Sequence, residues 1–455
     1  MTATPPETPR LVQGSVPMGL FKLTAPVVLG ITANIGAGLL EAFYLAQVGT
    51  AELVAYSFTF PVTGALMSLS LGISIGLSSV LARTVGSGDM KQVRRLASDG
   101  ISLVALVMAV VSVLGLLTIR PLFSALGADE TTLPLIVDYM TITYFSMALW
   151  AIPSIGANAL RATGDAKISG TIMVSGALLQ IIMSPFLIFG YLGLPAMGLE
   201  GAAWSALISR LVLFVITLSV LHFREHLLSY RDLTISIMLN SWRRILTVGV
   251  PAIATNMIGP ISTAIIVSLL AGFSQETVAG FGIASRIEGL FVIPLFAMSA
   301  SIGPFVGQNW GADRKDRANA AMIFSFQYAM IWGAFVALVL MLFNESIAGL
   351  FDDNPEVIES AALYLMMVPL SYGAWGVLMM SSATFNSLGK PISSTIMSIV
   401  RMFVIYVPLA FLGKALYGIQ GIFVATAIAN LAMGAIAFTW NRHTYKPTEP
   451  LPEHT

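Results

Sequence analysis

The sequence predicts an all-α polytopic membrane protein with twelve transmembrane helices in two six-helix lobes, related by a pseudo-two-fold axis along the membrane normal. Three observations predict this fold class. The 455 residues are 56% hydrophobic and only 10% charged, whereas soluble domains carry about 25% charged residues. Twelve apolar stretches of spanning length follow one another, and the two halves of the chain repeat each other. This composition excludes disordered, nucleic-acid-binding and secreted proteins.

Each stretch is long enough to cross a bilayer, which takes roughly 20 apolar residues. The first six are residues 18–48, 56–82, 98–119, 132–160, 168–189 and 198–221, and the second six are 245–270, 280–307, 318–343, 357–385, 392–412 and 419–440. We therefore predict an N-lobe (18–222), a cytoplasmic linker (223–244) and a C-lobe (245–440), with cytoplasmic tails at 1–17 and 441–455.

The distribution of charge predicts the orientation of these spans. Eighteen of the 23 Lys and Arg residues fall in alternate loops on one side, as Lys91 and Arg314 do, and the loops opposite are acidic, as at Asp129 and Asp352. Short cytoplasmic loops are enriched in Lys and Arg. We therefore expect both termini to be cytoplasmic and the protein to reside in the plasma (inner) membrane.

An internal repeat relates the two halves. Pro26 has a counterpart in Pro251, 225 positions later, and Pro185 has one in Pro408. Three loop motifs recur in the same order: GSGDMK (86–91) with GADRK (311–315), ATGDAK (162–167) with SLGKP (387–391), and GLEG (198–201) with GIQG (418–421). Because six helices is an even number, the two lobes share one orientation, an arrangement typical of transporters with a central cleft.

Polar residues within the spans are the candidates for ion coupling. An intramembrane carboxylate is costly and therefore suggests function, and Glu41 lies inside the first span. The predicted ion-coupling residues are Glu41, Asn34, Gln180, Ser184, Asn158 and Ser205. Two alternatives remain open here: Glu41 reaching interfacial water, and the amides and hydroxyls serving only as hydrogen bonds between helices.

Several other residues in the spans receive a structural or conformational interpretation. Pro26 frees a backbone carbonyl and permits a bend in the first helix, which would couple protonation of Glu41 to helix bending; a static packing kink is the alternative. Glu288 is assigned an interfacial or structural role. Arg210 and Arg401 lie within spans and are expected to face a cavity or to pair with polar groups.

Methionine and aromatic side chains are abundant, with 23 Met, 25 Phe, 12 Tyr and 7 Trp. Flexible thioethers and aromatic faces suit a pocket for apolar cations, although most of these residues must pack or face lipid. The substrate-binding candidates are Phe43, Tyr44, Tyr144, Trp150, Met173, Met183, Met257, Met298, Trp375 and Met379.

The sequence offers little for catalysis. It has no cysteine, and its four histidines lie in predicted loops or tails, so we expect no metal site and no cofactor other than the coupling ion. No phosphate-binding loop is present, because Lys390 is followed by proline rather than Ser or Thr. An intramembrane enzyme and direct drive by ATP are therefore disfavoured. A passive channel is disfavoured by the duplication of the lobes, which suits alternating access.

Four segments together resemble the multidrug and toxic compound extrusion (MATE) transporters, over essentially the whole chain. They are EAFYLAQVG (41–49), NALRATGD (158–165), PFLIFG (185–190) and VGQNWGA (306–312). The resemblance implies an outward-opening V of two lobes that exports amphipathic organic cations in exchange for protons or sodium ions.

The resemblance also carries over to single residues. The family's first-helix aspartate falls on Glu41, and the Asn and Asp that prokaryotic members often place in helix five fall on Gln180 and Ser184. A helix-seven acid of another branch falls near Gly259, which implies that the second lobe lacks a coupling site.

We therefore predict a monomeric multidrug exporter, a secondary active antiporter of amphipathic organic cations with Glu41 as its proton carrier. Its partners would be such small molecules and the lipid bilayer, without nucleic acid. A sodium ion needs several oxygen ligands with compensating charge, so protons are favoured. Sodium-coupled antiport, and a lipid-linked precursor flippase of the same superfamily, remain the alternatives.

Overall fold

The computed structural model describes residues 9–229 and 234–444. Parts of the predicted tails (1–8 and 445–455) and of the predicted linker (230–233) lie outside the described residues. Apart from short turns, the described chain is helical throughout, as the apolar composition predicts.

The first half of the chain contains seven α-helices. They are α1 (Val16–Val48), α2 (Thr50–Gly86), α3 (Met90–Ala125), α4 (Thr132–Phe145), α5 (Met147–Ala162), α6 (Ala166–Phe189) and α7 (Gly198–Ser219). A short π-helical turn, Val220–Arg224, extends α7. Helices α4 and α5 form one apolar unit bent by 48° at Ser146.

The second half contains eight further helices. They are α8 (Ile235–Leu270), α9 (Gln275–Phe291), α10 (Ile293–Gly311), α11 (Lys315–Ala348), α12 (Pro355–Met367), α13 (Tyr372–Ser387), α14 (Pro391–Ile399) and α15 (Val407–Thr444). Helices α9 and α10 are also bent by 48°. Helix α8 begins at Ile235, within the predicted linker and ahead of the predicted span start at Ile245.

A chain reversal at Gly418 divides α15 into two arms. Gly418 has φ 61° and ψ −134°, a conformation that glycine adopts readily because it has no Cβ. A Cβ on Gly413 would lie 3.0 Å from Cα of Gly421, whereas eight residues of continuous helix rise about 12 Å. Helices α12 and α13 form one continuous span, Pro355–Ser387, and α14 continues into the first arm of α15 within Pro391–Thr444. Counting each of these and each bent pair as one span, and the second arm of α15 as another, the described helices form twelve spans.

The chain divides into two compact units. Unit 1 contains residues 9–10 and the described residues of Phe21–Asn256, and unit 2 contains Leu11–Leu20 and the described residues from Met257 onward. Both divisions fall inside long helices, α1 and α8. Each unit therefore holds most of one half of the repeat, but the first part of α8 as far as Asn256 belongs to unit 1, and Leu11–Leu20 belongs to unit 2.

Two helix starts in the first half of the chain are set by aspartate caps in the loops that recur. The carboxylate of Asp89 accepts a hydrogen bond of 2.9 Å from the backbone N–H of Gln92 at the start of α3, and Asp165 accepts one of 3.1 Å from Ile168 at the start of α6. Such N-caps satisfy backbone donors that have no partner within the helix. The two Gly-Asp pairs, at 88–89 and 164–165, therefore mark turns between spans.

Small residues bring α1 and α6 together in unit 1. A Cβ on Gly170 would lie 2.6 Å from Cβ of Pro26, and a Cβ on Gly30 would lie 2.9 Å from Cβ of Met173. Both glycines are therefore needed for the close approach of the two helices. This packing positions one face of α6 against α1, where the polar residues of both helices lie.

Candidate functional site

A hydrogen bond between two side chains joins α1 to α6 in unit 1. Nε2 of Gln180 donates a hydrogen bond of 2.6 Å to Oε2 of Glu41. The Glu41 side chain is buried, with 4% of its surface exposed. The short amide-to-carboxylate distance is typical of a hydrogen bond to a charged acceptor. Of the predicted ion-coupling residues, Gln180 is thus the one that contacts Glu41 directly.

Two buried tyrosines lie within the electrostatic range of Glu41. Tyr56 on α2 and Tyr139 on α4 both interact with its charge, and their rings pack edge to face with centroids 5.7 Å apart. Edge-to-face packing is a favourable aromatic geometry. The charge of Glu41 is therefore felt by an aromatic pair that α2 and α4 contribute.

A half-buried arginine supplies positive charge to the same region. Arg210 on α7 interacts electrostatically with Glu41, Tyr56 and Tyr139. Its Nη1 donates to Oγ of Ser146, which sits at the bend between α4 and α5. Ser146 in turn donates to the carbonyl of Thr143 at 2.9 Å. The Arg210 side chain, expected from the sequence to pair with polar groups, thus does so beside the acid.

The other predicted ion-coupling residues make separate contacts. Ser184 and Ser205 share a hydrogen bond of 2.9 Å between their buried hydroxyls. Asn34 is exposed and donates to the carbonyl of Gly30 within α1. Asn158 accepts a hydrogen bond of 2.7 Å from Arg161. The structure therefore brings together Glu41 and Gln180, and Ser184 and Ser205, as two distinct pairs.

The substrate-binding candidates differ widely in exposure. Tyr144 and Met298 are buried, Phe43 is exposed, and the rest are half-buried: Tyr44, Trp150, Met173, Met183, Met257, Trp375 and Met379. Tyr144 packs against Gly115, and Met173 against Gly30. Trp375 lies in an aromatic cluster, with ring centroids 6.1 Å from those of Phe296 and Tyr372. A role in substrate binding stays a prediction for all ten.

Unit 2 holds a second acidic cluster. Oε2 of Glu288 accepts hydrogen bonds from the hydroxyls of Tyr364, at 2.5 Å, and Tyr372, at 2.8 Å. The guanidinium of Arg401 interacts electrostatically with Glu288 and donates a hydrogen bond of 3.0 Å to Oδ1 of Asn430. Glu288 therefore has specific partners from three other segments of unit 2.

Residue-by-residue reading of the sequence singled out none of the tyrosines near the two acids. A signal for them was present in the repeat, because Tyr139 and Tyr364 are 225 positions apart, as are Ser146 and Ser371. The repeat of polar residues within the spans therefore marks Tyr139, Tyr364, Ser146 and Ser371, but not Tyr56 or Tyr372, whose repeat positions hold Phe281 and Met147.

A family model matches both halves of the repeat. The MatE profile matches residues 26–186 and 251–412, one segment in each half of the repeat. The chain belongs to the MatE family. Members of this family are transporters, so the protein is a membrane transporter rather than an enzyme, as the sequence predicts.

Two relatives that match most or nearly all of the chain support the same assignment. The chain is 33% identical to a protein named FAD transporter from Shewanella oneidensis, over 96% of this chain and 97% of that protein. It is 24% identical to the probable multidrug resistance protein YoeA from Bacillus subtilis, over 80% and 79% of the two chains.

A solved structure confirms the fold. A mutant of the MATE transporter VcmN from Vibrio cholerae superposes with a TM-score of 0.90 at 27% identity, covering 94% of this chain and 97% of that one. The MATE transporters have twelve spans in two lobes, so the predicted fold class is confirmed.

Proposed function

We propose that the protein exports small molecules in exchange for protons and that Glu41 is the proton carrier. The observation that carries this proposal is the buried Glu41 carboxylate, which accepts a hydrogen bond from Gln180 and interacts with the charge of Arg210. These partners compensate the ionised carboxylate inside an apolar environment. Proton binding changes the charge of the site by one unit. It therefore also changes the interactions of Glu41 with Gln180 on α6 and Arg210 on α7.

The composition of the site favours a proton over a sodium ion. A hard cation is bound by several oxygen ligands with compensating negative charge. Around Glu41 the neighbouring groups are an amide, two tyrosine hydroxyls and the cationic Arg210, with no second carboxylate among its described partners. Sodium-coupled antiport remains the alternative to be distinguished by experiment.

We infer that the substrates are amphipathic organic cations, with FAD as a second candidate. Aromatic and methionine side chains suit apolar cations, and YoeA is named as a probable multidrug resistance protein. The Shewanella oneidensis relative is named FAD transporter and matches almost the entire chain. Transport of FAD by this chain is therefore tested alongside a cationic dye; a lipid-linked precursor is the third candidate.

We also propose that the protein acts as a monomer in the plasma (inner) membrane with both termini in the cytoplasm. The concentration of Lys and Arg in alternate loops supports this orientation. The two halves of the repeat provide both lobes of a transporter within one chain.

The proposal is tested by efflux from proteoliposomes with imposed pH or sodium gradients, using a cationic dye and FAD in separate assays. We expect a pH gradient to drive efflux by the native protein. The Glu41→Gln variant should fold and insert but show only the efflux of protein-free liposomes. The matched control is Glu200→Gln, which removes an exposed carboxylate from the same unit and should transport normally. Full proton-driven efflux by Glu41→Gln would overturn the proposal.

A further inference from the structure

The acidic cluster around Glu288 in unit 2 is built around a single carboxylate oxygen. Both Tyr364 and Tyr372 donate to Oε2, and no described residue donates a hydrogen bond to Oε1. The two tyrosines flank the break between α12 and α13. Oε2 of Glu288 thus accepts two hydrogen bonds, and Oε1 is open in the sense that no described residue donates to it.

The aromatic packing beside Glu288 in unit 2 repeats the packing beside Glu41 in unit 1. The rings of Phe281 and Tyr364 pack edge to face with centroids 5.5 Å apart, and the residues 225 positions earlier, Tyr56 and Tyr139, pack in the same way at 5.7 Å. Both units therefore place a tyrosine of an edge-to-face pair beside a carboxylate.

A hydrogen bond to a serine at a helix break, here called the brace, also recurs in both units, at Ser371 in unit 2 and at Ser146 in unit 1. In unit 2, Asn430 donates to Oγ of Ser371 at 3.0 Å, and Ser371 donates to the carbonyl of Val368 at 2.7 Å. In unit 1, Arg210 and Ser146 form the corresponding contact. Ser146 precedes Ser371 by 225 positions, and Arg210 precedes Asn430 by 220, the offset that also relates Gly198 to Gly418.

The acidic and arginine residues of the two clusters do not occupy equivalent positions in the repeat. The repeat places Ile266 where Glu41 would recur, and Thr63 where Glu288 would have its counterpart. Asn430 replaces Arg210, and the positive charge of unit 2 comes instead from Arg401, which donates to Asn430. Each unit thus assembles a carboxylate, tyrosine and arginine around one brace, although the acid and the arginine are not inherited from the repeat.

We propose that Glu288 is a second proton-binding site of the transporter. The inference rests on the proposed proton antiport. The ionised carboxylate is compensated by two tyrosine hydroxyls and by the charge of Arg401. An incoming proton binds at the open Oε1, so the carboxylate becomes a carboxylic acid without loss of either hydrogen bond at Oε2. The same proton returns to water when the group ionises again.

The chemistry of the cluster favours a proton over a metal ion. It contains one carboxylate and a nearby arginine, so a bound cation would lack a second negative charge and would be repelled by Arg401. The sequence argued against a coupling site in the second lobe because the position compared with the family was Gly259 in helix seven. The carboxylate of unit 2 lies instead on α9, outside that comparison.

The test is an infrared titration of the full-length reconstituted protein against pH, which detects the C=O stretching band of protonated carboxyl groups without requiring transport. Four proteins are compared: the native chain, Glu41→Gln, Glu288→Gln and the double variant. We expect Glu288→Gln to remove one titrating component and Glu41→Gln to remove a different one. Glu288→Asp should restore a titrating component at this site.

The matched control is Glu356→Gln, which removes an exposed carboxylate from α12, the helix of Tyr364, and should leave the Glu288 component unchanged. An unchanged titration in folded Glu288→Gln would overturn the second site. The Glu41→Gln titration tests the proposed function separately: if Glu41→Gln removed no component while Glu288→Gln did, the role of Glu41 would be contradicted and the site at Glu288 would stand. As a second measurement, the number of protons exchanged per substrate, from the opposing pH gradient that stops transport, should fall by one in Glu288→Gln.

Discussion

The amide of Gln180 donates a hydrogen bond of 2.6 Å to the carboxylate of Glu41 and so joins the fifth span of unit 1 to the first. The contact lies on the helix pair that also packs through Pro26 and Gly170. A change of charge at Glu41 therefore acts directly on the interaction between these two helices.

Replacing Gln180 with leucine should weaken proton-driven efflux. The variant keeps side-chain volume but removes the donor to a buried carboxylate, an interaction worth about 1.5–3 kcal/mol, which corresponds to roughly a tenfold or greater change in an equilibrium constant. Efflux from proteoliposomes over a range of pH measures the effect, and the pH profile should be displaced. Leu178→Ala, an exposed change on the same helix, is the control. A native pH profile in Gln180→Leu would contradict a coupling role for this contact.

The close approach of α1 and α6 predicts a marked sensitivity at Gly170. A Cβ at this position would lie 2.6 Å from Cβ of Pro26, so Gly170→Ala must force the helices apart, at a cost of about 1–3 kcal/mol. A lower melting temperature in detergent is the expected result. Gly36→Ala on α1 is the control, because its added Cβ meets no atom within 4 Å. Equal melting temperatures for the two variants would show that this contact is not tight.

The brace in unit 2 predicts a destabilised Asn430→Leu variant. Asn430 donates to Ser371 and accepts from Arg401, both at 3.0 Å, and its side chain is buried. Leucine leaves both partners without these bonds, which should lower the free energy of unfolding by about 1–3 kcal/mol. Thermal or denaturant unfolding in detergent measures the loss. Thr439→Val, an exposed change whose hydroxyl bonds only within its own helix, should have little effect.

The capping carboxylate of Asp129 predicts a pH-dependent contribution to stability. Side-chain and backbone hydrogen bonds from Thr132, and then from Thr131, lower the pKa of Asp129 to about 2. Because the folded-state pKa lies below the unfolded one, the stabilisation is complete above the unfolded pKa and is lost as pH falls toward 2.

The melting temperature of the native protein should therefore exceed that of Asp129→Asn at neutral pH, and the difference should shrink from about pH 5 downward. Melting curves of both proteins across this range test the prediction. A difference that stays constant down to pH 2 would mean that the carboxylate is not the stabilising form.

The orientation is testable because the chain has no cysteine. Single cysteines at two exposed positions, Glu130→Cys and Lys315→Cys, should react differently with a membrane-impermeant maleimide. We expect Glu130→Cys to be labelled in intact cells and Lys315→Cys only after the membrane is permeabilised. The reverse pattern would place the termini outside.

The sequence by itself determined the spans, the repeat and the presence of Glu41 within a helix. Apolar length and charge placement are local properties, because a bilayer selects about 20 apolar residues at a time. The family assignment and the twelve-span fold, confirmed by the comparisons, follow from the same signals. The bend at Ser146 and the reversal at Gly418 sharpen the boundaries of these spans without changing their order.

Only the tertiary structure decided which polar residues meet. Gln180 and Ser184 lie one helical turn apart on α6, yet Gln180 contacts Glu41 and Ser184 contacts Ser205, since rotation and crossing of packed helices determine each partner. Glu288 looked interfacial in the sequence because its partners Tyr364 and Tyr372 are distant along the chain. Hydrogen bonds between helices depend on side-chain positions in three dimensions, whereas hydrophobicity is encoded in each segment alone.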